Sequence, residues 1–127
     1  MGPRAWRWAR GVVGALTPGT VVWADFGDGV GKEQSGRRPA VVVSSLDHLA
    51  ITLGLAVVLP GTTVDRGWPN HVELEGPTGL AKTTYAMTEQ PRTIDVARVQ
   101  KIVGVIDMSC LEALARWTED WTIQSAV

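Results

Sequence analysis

The sequence predicts a mainly β protein with one C-terminal helix, in which a small barrel of strands packs against that helix. Two observations carry this prediction. Short apolar runs rich in β-branched residues recur along the 127-residue chain, and turns containing glycine or proline separate them. After the last of these runs, apolar residues recur at the spacing of an amphipathic helix. Many short strands followed by one terminal helix favour a barrel-like sheet covered by that helix.

The first half of the chain supplies three predicted strands. A turn at Pro18-Gly19 leads into the first, residues 20–26. The second, residues 40–45, is strongly apolar, and we expect it to lie at the centre of the sheet. The third, residues 55–59, ends at the following proline, and a short helical turn over residues 45–50 separates it from the second.

The second half supplies four shorter strands and the helix. The strands are residues 71–75, 83–87, 90–94 and 101–106. Pro91 places the third of them on an edge or at a bulge, and Asp95 can cap a short turn over residues 96–98. Asp107 is the predicted cap of the helix, which runs from Met108 to about Trp121. Its packed face is expected to carry Leu111, Leu114, Ala115, Thr118 and Trp121.

Length and composition limit the class of protein. With 45% hydrophobic and 20% charged residues, the chain is expected to form one soluble globular domain. No apolar run approaches the ~20 residues of a membrane span and no signal-peptide core is evident, so a cytoplasmic protein without a membrane partner is expected. Residues 1–17 are predicted to be a flexible N-terminal arm and residues 18–127 the domain. A single cysteine, Cys110, excludes an internal disulfide and a cysteine-cluster zinc site.

The overall charge does not by itself indicate nucleic-acid binding. A net charge of −1 and a pI near 6.1 lack the basic excess of most such proteins. Binding responds to the local field, however, and six cations fall close to the motifs described next. They are Lys32, Arg37, Arg38, Arg66, Lys82 and Arg92.

The segment Glu33–Pro39 sets a charged loop directly against a buried strand. Pro39 fixes its own backbone and biases Arg38 towards an extended conformation, so the Arg38 side chain leaves the barrel in a defined direction. Taken alone, the arginine doublet also fits an ordinary solvated loop. The preceding glycine-rich residues 27–32 are not a phosphate-binding P-loop, because Phe26 replaces the first glycine and no helix follows.

Three blocks of sequence together resemble the MazF/PemK-type toxins, the mRNA-cleaving components of bacterial toxin–antitoxin pairs. They are EQSGRRPAVVVSS at residues 33–45, LPGTTVDRGWPNHV at residues 59–72 and MTEQPRTI at residues 87–94. The resemblance extends from Pro18 to Trp121. It implies the SH3-like small barrel of the CcdB/MazF toxins, a homodimer, single-stranded mRNA as substrate and a cognate antitoxin as partner.

The same resemblance implies that Arg38 and Thr62 are catalytic. An arginine presents a planar fork that can hold two phosphate oxygens, and the Thr62 hydroxyl can donate to an oxygen where negative charge develops. Arginine stays protonated in proteins, so Glu33, which matches an acid of the family loop, is the better candidate for the general base. The alternative for Glu33 is an ion pair with Arg37 or Lys32.

Further residues are expected to contact RNA, and no metal site or cofactor is expected. The RNA-binding candidates are Lys32, Gln34, Arg37, Thr63, Asp65, Arg66, Gln90 and Arg92. Trp68 and Pro69 offer a stacking face or close the loop. The two histidines, His48 and His71, lie on unrelated segments, and we expect each to make a structural hydrogen bond rather than a catalytic pair.

The sequence therefore predicts a toxin endoribonuclease that cleaves single-stranded mRNA at a short specific sequence. By family analogy the cleavage is metal-independent, proceeds by attack of the 2′-hydroxyl, and leaves a 2′,3′-cyclic phosphate and a 5′-hydroxyl. The alternative is a CcdB-like gyrase inhibitor that is not an enzyme, for which Trp121-Thr122-Ile123 is a faint signal. The pair Arg38 and Thr62 distinguishes the two, since a gyrase inhibitor has no need of it. A third possibility is an inactive relative that acts only as a binding module.

Overall fold

A computed structural model describes residues 14–29, 31 and 35–121, and within them seven strands precede a C-terminal helix. The strands are β1 (Thr20–Asp25), β2 (Arg37–Val42), β3 (Leu55–Thr62), β4 (His71–Glu73), β5 (Tyr85–Met87), β6 (Arg92–Asp95) and β7 (Val99–Val105). Helix α1 (Leu46–Thr52) joins β2 to β3, a 3-10 turn (Val96–Arg98) joins β6 to β7, and helix α2 (Met108–Asp120) follows β7. The predicted class, mainly β with a C-terminal helix, is confirmed.

The strands form one antiparallel sheet that bends towards a barrel. Its order is β4-β5-β3-β2-β1-β7, and β6 adds to the first half of β3. The two end strands, β4 and β7, are not paired with each other in this order. Instead the loop after β4 bridges the gap, because Glu75 O accepts from Asp107 N at 2.9 Å and Pro77 O accepts from Val105 N at 3.1 Å. The strands therefore do not form the closed barrel that was predicted; the loop after β4 links the two ends of the sheet by hydrogen bonds instead.

Strand β2 begins earlier than predicted. It starts at Arg37 and ends at Val42, where residues 40–45 were expected. Arg37 and Arg38 pair with Asp25 and Ala24 of β1, so the arginine doublet belongs to the strand itself. Ser45 instead caps helix α1, since its hydroxyl accepts from His48 N at 3.1 Å.

Strand β3 continues through Pro60, where the prediction ended it. Pro60 lies opposite Ala40 of β2, and the next two residues pair with β5, Gly61 with Ala86 and Thr62 with Tyr85. A proline is tolerated here because, on the edge of β3 away from β2, the partner strand changes around this point from β6, whose pairing ends at Val58, to β5, whose pairing begins at Gly61. Thr62 therefore sits in the last position of a strand and not in the loop after it.

The remaining boundaries differ by a few residues. β6 starts at Arg92, because Gln90 belongs to a turn in which its N–H donates to Met87 O. β7 starts at Val99, directly after the 3-10 turn that Asp95 caps as predicted. The predicted helix is confirmed as α2; Asp107 occupies its N-cap position, although the Asp107 side chain makes no capping hydrogen bond.

Both faces of the central strands are buried, as predicted for β2. On one face Val22, Val42 and Val58 pack together, and on the other Val21, Val41 and Leu59 pack under Leu114 of α2. This alternation follows from the two-residue period of a strand.

The described part of the predicted N-terminal arm joins the first of these clusters. Leu16 is 3% exposed, and Thr17 N donates to the Thr20 hydroxyl at 3.0 Å. Residues 1–13 of that arm lie outside the described residues. No helix among the described residues has the length and apolar character needed to span a membrane.

Candidate functional site

Arg38 and Thr62 line one cavity of about 660 Å³, which we call the cationic cavity. Strand pairing brings them together: Ala40 lies opposite Pro60 in the antiparallel β2–β3 pair, so Arg38 and Thr62, each two residues beyond that pair, lie at the same end of the two strands. The residues that line the cavity come from β1, from β2 and the residues just before it, from the end of β3 and the loop after it, and from the loop before β5. Among them are Arg37, Arg38, Thr62, Thr63, Arg66 and Lys82. Four of these are cations, and no carboxylate is among the described residues that line the cavity.

The Arg38 guanidinium is held from its inner edge. Its Nε donates to the backbone carbonyl of Ser35 at 3.1 Å, and the residue is half-buried. Among the described contacts, its two terminal nitrogens have no partner. Because the guanidinium is planar, fixing Nε fixes the direction of the remaining donors, and these can hold two oxygens of one phosphate.

Arg37 is fixed by two residues that sequence reasoning missed. Its Nε donates to Oε1 of Gln100 at 2.7 Å, and its guanidinium carbon lies 4.5 Å from the centre of the Trp23 ring. Gln100 is 63 positions away in sequence, on β7, so no local pattern signals the contact. Trp23 lies opposite Pro39 across the β1–β2 pair, a position that only the register reveals.

The Thr62 hydroxyl is placed to donate. Thr62 is 6% exposed, and its Oγ1 accepts a hydrogen bond from Val64 N at 3.1 Å. Since that contact uses a lone pair and not the proton, the O–H remains available to an oxygen in the cavity.

Asp65 holds its loop and does not line the cationic cavity. Its Oδ1 accepts from Gly67 N at 2.9 Å, which closes a tight turn. Partial burial, followed by the charges of Asp65 and Glu73, raises the pKa of Tyr85 above its ordinary value. Tyr85 lies opposite Thr62 in the β3–β5 pair, so a neutral phenol stands beside the cationic cavity at neutral pH.

A second cavity, of about 990 Å³, adjoins the first, and we call it the aromatic cavity. Arg66 lines both. The aromatic cavity is also lined by Phe26, Trp68, His71, Glu89, Gln90 and Arg92. Two cations lie against its rings: the guanidinium carbon of Arg66 is 5.8 Å from the Trp68 ring centre, and that of Arg92 is 5.4 Å from the Phe26 ring centre. The predicted RNA-binding residues Gln90 and Arg92 therefore line the aromatic cavity, whereas Arg38 lines the cationic cavity.

His71 and Glu89 form the base of the aromatic cavity. Nε2 of His71 lies 2.9 Å from Oε1 and 3.1 Å from Oε2 of Glu89, and Nδ2 of Asn70 donates to the same Oε1 at 3.1 Å. A carboxylate only accepts, so Nε2 carries the proton. Nδ1 of His71 is then the one buried side-chain nitrogen or oxygen that lacks a hydrogen-bond partner within the described residues.

The two histidines lie in different cavities. His48 is on α1, where its Nδ1 lies 2.9 Å from the Ser44 hydroxyl, and it lines a third cavity with Leu111 and Thr118. His71 lines the aromatic cavity. Each makes a side-chain hydrogen bond, as predicted, and the fold does not bring them into one site.

Three predicted site residues, Lys32, Glu33 and Gln34, lie outside the described residues. In the part of the chain that the structure describes, no group of three or more His, Cys, Asp or Glu side chains is arranged to hold a metal ion.

Comparison with known proteins gives consistent similarities. A family model described as PemK-like, MazF-like toxin of type II toxin-antitoxin system matches residues 17–119. The endoribonuclease toxin MazF of Escherichia coli (strain K12) is 41% identical over 76 residues, which cover 60% of this chain and 65% of that protein. The chain thus matches less than two thirds of the length of this curated relative.

Solved structures show the same fold. MazF (Form-I) from Deinococcus radiodurans is similar with a TM-score of 0.70 and 26% identity, over 83% of this chain and 94% of that chain. The MazE-MazF complex (Form-II) from the same organism gives a TM-score of 0.64 and 26% identity, over 83% and 93% of the two chains. These likenesses confirm the fold predicted from the three sequence blocks.

Proposed function

Because the chain belongs to the family of PemK-like, MazF-like toxins of type II toxin–antitoxin systems, we propose that it is an endoribonuclease that cleaves single-stranded mRNA at a short preferred sequence. One observation carries the proposal: Arg38 and Thr62 share a cavity with three further cations and with no carboxylate among its described lining residues. Such a cavity suits the phosphates of RNA, whose charge dominates nucleic-acid binding.

The chemistry that this cavity supports is attack of a 2′-hydroxyl on the neighbouring phosphorus. The bond from the 2′-oxygen to phosphorus forms while the bond to the 5′-oxygen breaks, which leaves a 2′,3′-cyclic phosphate and a 5′-hydroxyl. The terminal nitrogens of Arg38 hold the non-bridging oxygens, and the Thr62 hydroxyl donates to one of them as charge accumulates. Arg37, Arg66 and Lys82 neutralise the phosphates on either side.

Two proton transfers complete the reaction. A base removes the proton of the 2′-hydroxyl, and the 5′-oxygen gains a proton as it leaves. Arg38 stays protonated and does not serve as the base, so we assign that role to Glu33, which precedes Arg38 by five positions in the sequence. We further propose that the reaction needs no metal ion, since Arg38 and its neighbouring cations stabilise the charge at the phosphate themselves.

A cognate antitoxin is the proposed partner. The structural neighbours include a MazE-MazF complex from Deinococcus radiodurans, and an acidic or extended peptide fits the cationic cavity by the same charge that suits RNA. We propose a homodimer in the cytoplasm, and the apolar side chains of Leu46, Ile51 and Leu53 offer surface for such an interface, being 63%, 80% and 75% exposed. Residues of α1 and its C-cap supply this patch.

The test is cleavage of a long RNA by the purified chain, with the ends located by primer extension. We expect cuts at one short sequence, unchanged in excess EDTA, and products with a 5′-hydroxyl. The absence of defined cuts under any divalent-ion condition would refute the proposal. The similarities to endoribonuclease toxins favour it over the CcdB-like gyrase inhibitor, and a gyrase supercoiling assay in parallel separates the two.

A further inference from the structure

We propose that the aromatic cavity is a subsite for adenine or cytosine, and that Glu89 accepts a hydrogen bond from the exocyclic amino group of the base. The inference rests on the proposed function, because the base belongs to the RNA whose phosphate lies in the cationic cavity. The two cavities adjoin: Arg66 lines both, and on β3 Pro60 lines the aromatic cavity while Thr62 lines the cationic one. A base next to the phosphate held by Arg38 would therefore reach it.

Size and stacking favour a flat aromatic ligand. The cavity volume of about 990 Å³ exceeds what one base requires. Trp68 forms part of its wall and is 50% exposed, so one part of the indole is open to a ligand. The His71 ring, with its centre 4.7 Å away and its plane tilted by 52°, holds the other part. Base–aromatic stacking is a common way of binding unpaired nucleotides.

Glu89 has one acceptor position left for a ligand. A carboxylate offers about four lone pairs, and the contacts from Asn70 and His71 occupy two on Oε1 and one on Oε2. The Glu89 side chain is 26% exposed and lines the cavity, so the remaining position on Oε2 is accessible. His71 and Asn70 fix the direction of that acceptor.

Gln90 completes a pattern that distinguishes bases. Its Nε2 makes only a 3.9 Å contact with the sulfur of Met87, so its amide can turn to meet a ligand. Adenine and cytosine each present an amino donor beside a ring-nitrogen acceptor, which complements a carboxylate beside an amide N–H. Uracil presents a carbonyl oxygen in place of the amino group, and that oxygen would face the Glu89 carboxylate.

A purely structural role for the His71–Glu89 pair accounts for less of what is observed. Within the described residues, Nδ1 of His71 is buried and has no hydrogen-bond partner. Buried polar atoms without a partner are rare in folded proteins, so this one requires an explanation. A structural pair also has no need of an open cavity containing Trp68 and two arginines.

The experiment measures binding without cleavage. Fluorescein-labelled 2′-O-methyl oligonucleotides of adenosine, cytidine and uridine cannot be cut, since the 2′-oxygen carries no proton, and their affinities are read by fluorescence anisotropy. The wild-type chain is compared with Glu89→Gln and with Glu112→Gln, which makes the same charge change on the exposed face of α2. Gln90→Ala is the second test variant, because it leaves no buried group unpaired.

We expect the wild type to bind the adenosine and cytidine oligomers about tenfold more tightly than the uridine oligomer. Glu89→Gln should bring that ratio close to one, since its amide N–H can donate to the uracil carbonyl, and Glu112→Gln should keep the wild-type ratio. Equal wild-type affinities for the three oligomers overturn the proposal. A Glu89→Gln variant that keeps the wild-type ratio of affinities also overturns it. If Glu89→Gln does not fold, the same ratio is measured for Gln90→Ala, and an unchanged value there overturns the proposal. Loss of the base preference in Glu89→Gln supports the subsite proposal whether or not the wild type cuts RNA. Failure of the wild type to cut RNA in the primer-extension assay would refute only the endoribonuclease proposal.

Discussion

The indole N–H of Trp121 donates to the hydroxyl of Thr88 at 3.2 Å, and that hydroxyl donates in turn to the backbone carbonyl of Asn70 at 2.7 Å. Thr88 follows β5 and is fully buried, whereas Trp121 is the C-cap of α2. Asn70 also donates to Glu89. One threonine hydroxyl thus connects the end of the C-terminal helix to Asn70, which donates to Glu89 in the aromatic cavity.

Replacing Thr88 by Val should lower the free energy of unfolding by about 1–3 kcal/mol, because it keeps the shape of this fully buried side chain but removes the hydroxyl that bonds the Asn70 carbonyl and the Trp121 indole. Urea denaturation measures the change. Thr88→Ser is the matched control, since it keeps both hydrogen bonds. Because Thr88→Ser loses a buried methyl group, the decisive comparison is with the wild type: a Thr88→Val variant as stable as the wild type would show that the hydroxyl contributes nothing.

Thr62→Val tests the donor at the proposed reaction centre. The change keeps the shape of the side chain and deletes the O–H, so we expect the cleavage rate to fall about a hundred- to a thousandfold, as for one oxyanion donor. Thr83→Val is the control, because Thr83 is exposed and does not line the cationic cavity. Single-turnover cleavage of a defined RNA gives the rates. A Thr62→Val variant as fast as the control would remove Thr62 from the mechanism.

The sequence predicted which residues form the cationic cavity better than it predicted how they meet. Pro39 and the apolar run after it are local signals, and they predicted an extended Arg38 followed by a strand over residues 40–45, whereas β2 itself begins at Arg37. The pairing that brings Arg38 and Thr62 to the same end of β2 and β3 depends on strand register, which a local pattern does not specify. Because the predicted β3 ended before Pro60, Thr62 was expected in a loop. The strand continues because Gly61 and Thr62 pair with β5, a tertiary contact that the local sequence does not signal.

Contacts between distant segments escaped prediction for the same reason. Gln100 and Trp23 fix Arg37, yet neither residue type signals such a role where it stands. The aromatic cavity was foreseen only in part: Gln90 and Arg92 came from the family resemblance, whereas the His71–Glu89 pair joins residues 18 positions apart. Both histidines were interpreted as structural, and the unpaired Nδ1 that sets His71 apart is visible only in the folded chain.

Gly104→Ala should destabilise the fold strongly. A Cβ at Gly104 of β7 would overlap the backbone of Pro77 and Thr78. These residues belong to the loop after β4, which hydrogen-bonds to the end of β7. Backbone atoms cannot rotate aside as a side chain can, so the cost should be about 1–3 kcal/mol or more in the free energy of unfolding. Gly54→Ala is the control, since its Cβ would meet nothing within 4 Å. If the two variants have equal denaturation midpoints, the close approach at Gly104 is not rigid.

The thiol of Cys110 should resist modification in the folded protein. Burial, and after it the charges of Asp107, Glu75 and Glu73, raises the pKa of this thiol, which also donates to Glu73 O at 3.4 Å. At pH 8 we expect a disulfide reagent to label it slowly in buffer and rapidly in urea.

The same shift gives a pH dependence of stability with a definite sign. A folded-state pKa above the unfolded value means that the stabilisation is present below the unfolded pKa and is lost as the pH rises through the folded pKa. Cys110→Ala should lack this loss in denaturation curves taken at increasing pH. Equal labelling rates in buffer and urea would contradict the burial on which both expectations depend.

Glu33→Gln tests the assignment of the base. No carboxylate is among the described residues that line the cationic cavity, and Glu33 precedes Arg37 and Arg38 by four and five positions in the sequence. Arg37 already has Gln100 and Trp23 as partners, which weakens the alternative of a simple ion pair with Glu33. We expect Glu33→Gln to slow cleavage about 10²- to 10⁴-fold, the usual contribution of general-base catalysis, while affinity for a 2′-O-methyl RNA stays within a few-fold of wild type. Asp28→Asn, a matched change in the exposed loop after β1, should leave both unchanged. A Glu33→Gln variant that cuts at nearly the wild-type rate would return Glu33 to an ion pair with Lys32 or Arg37 and leave the 2′-hydroxyl proton to another acceptor.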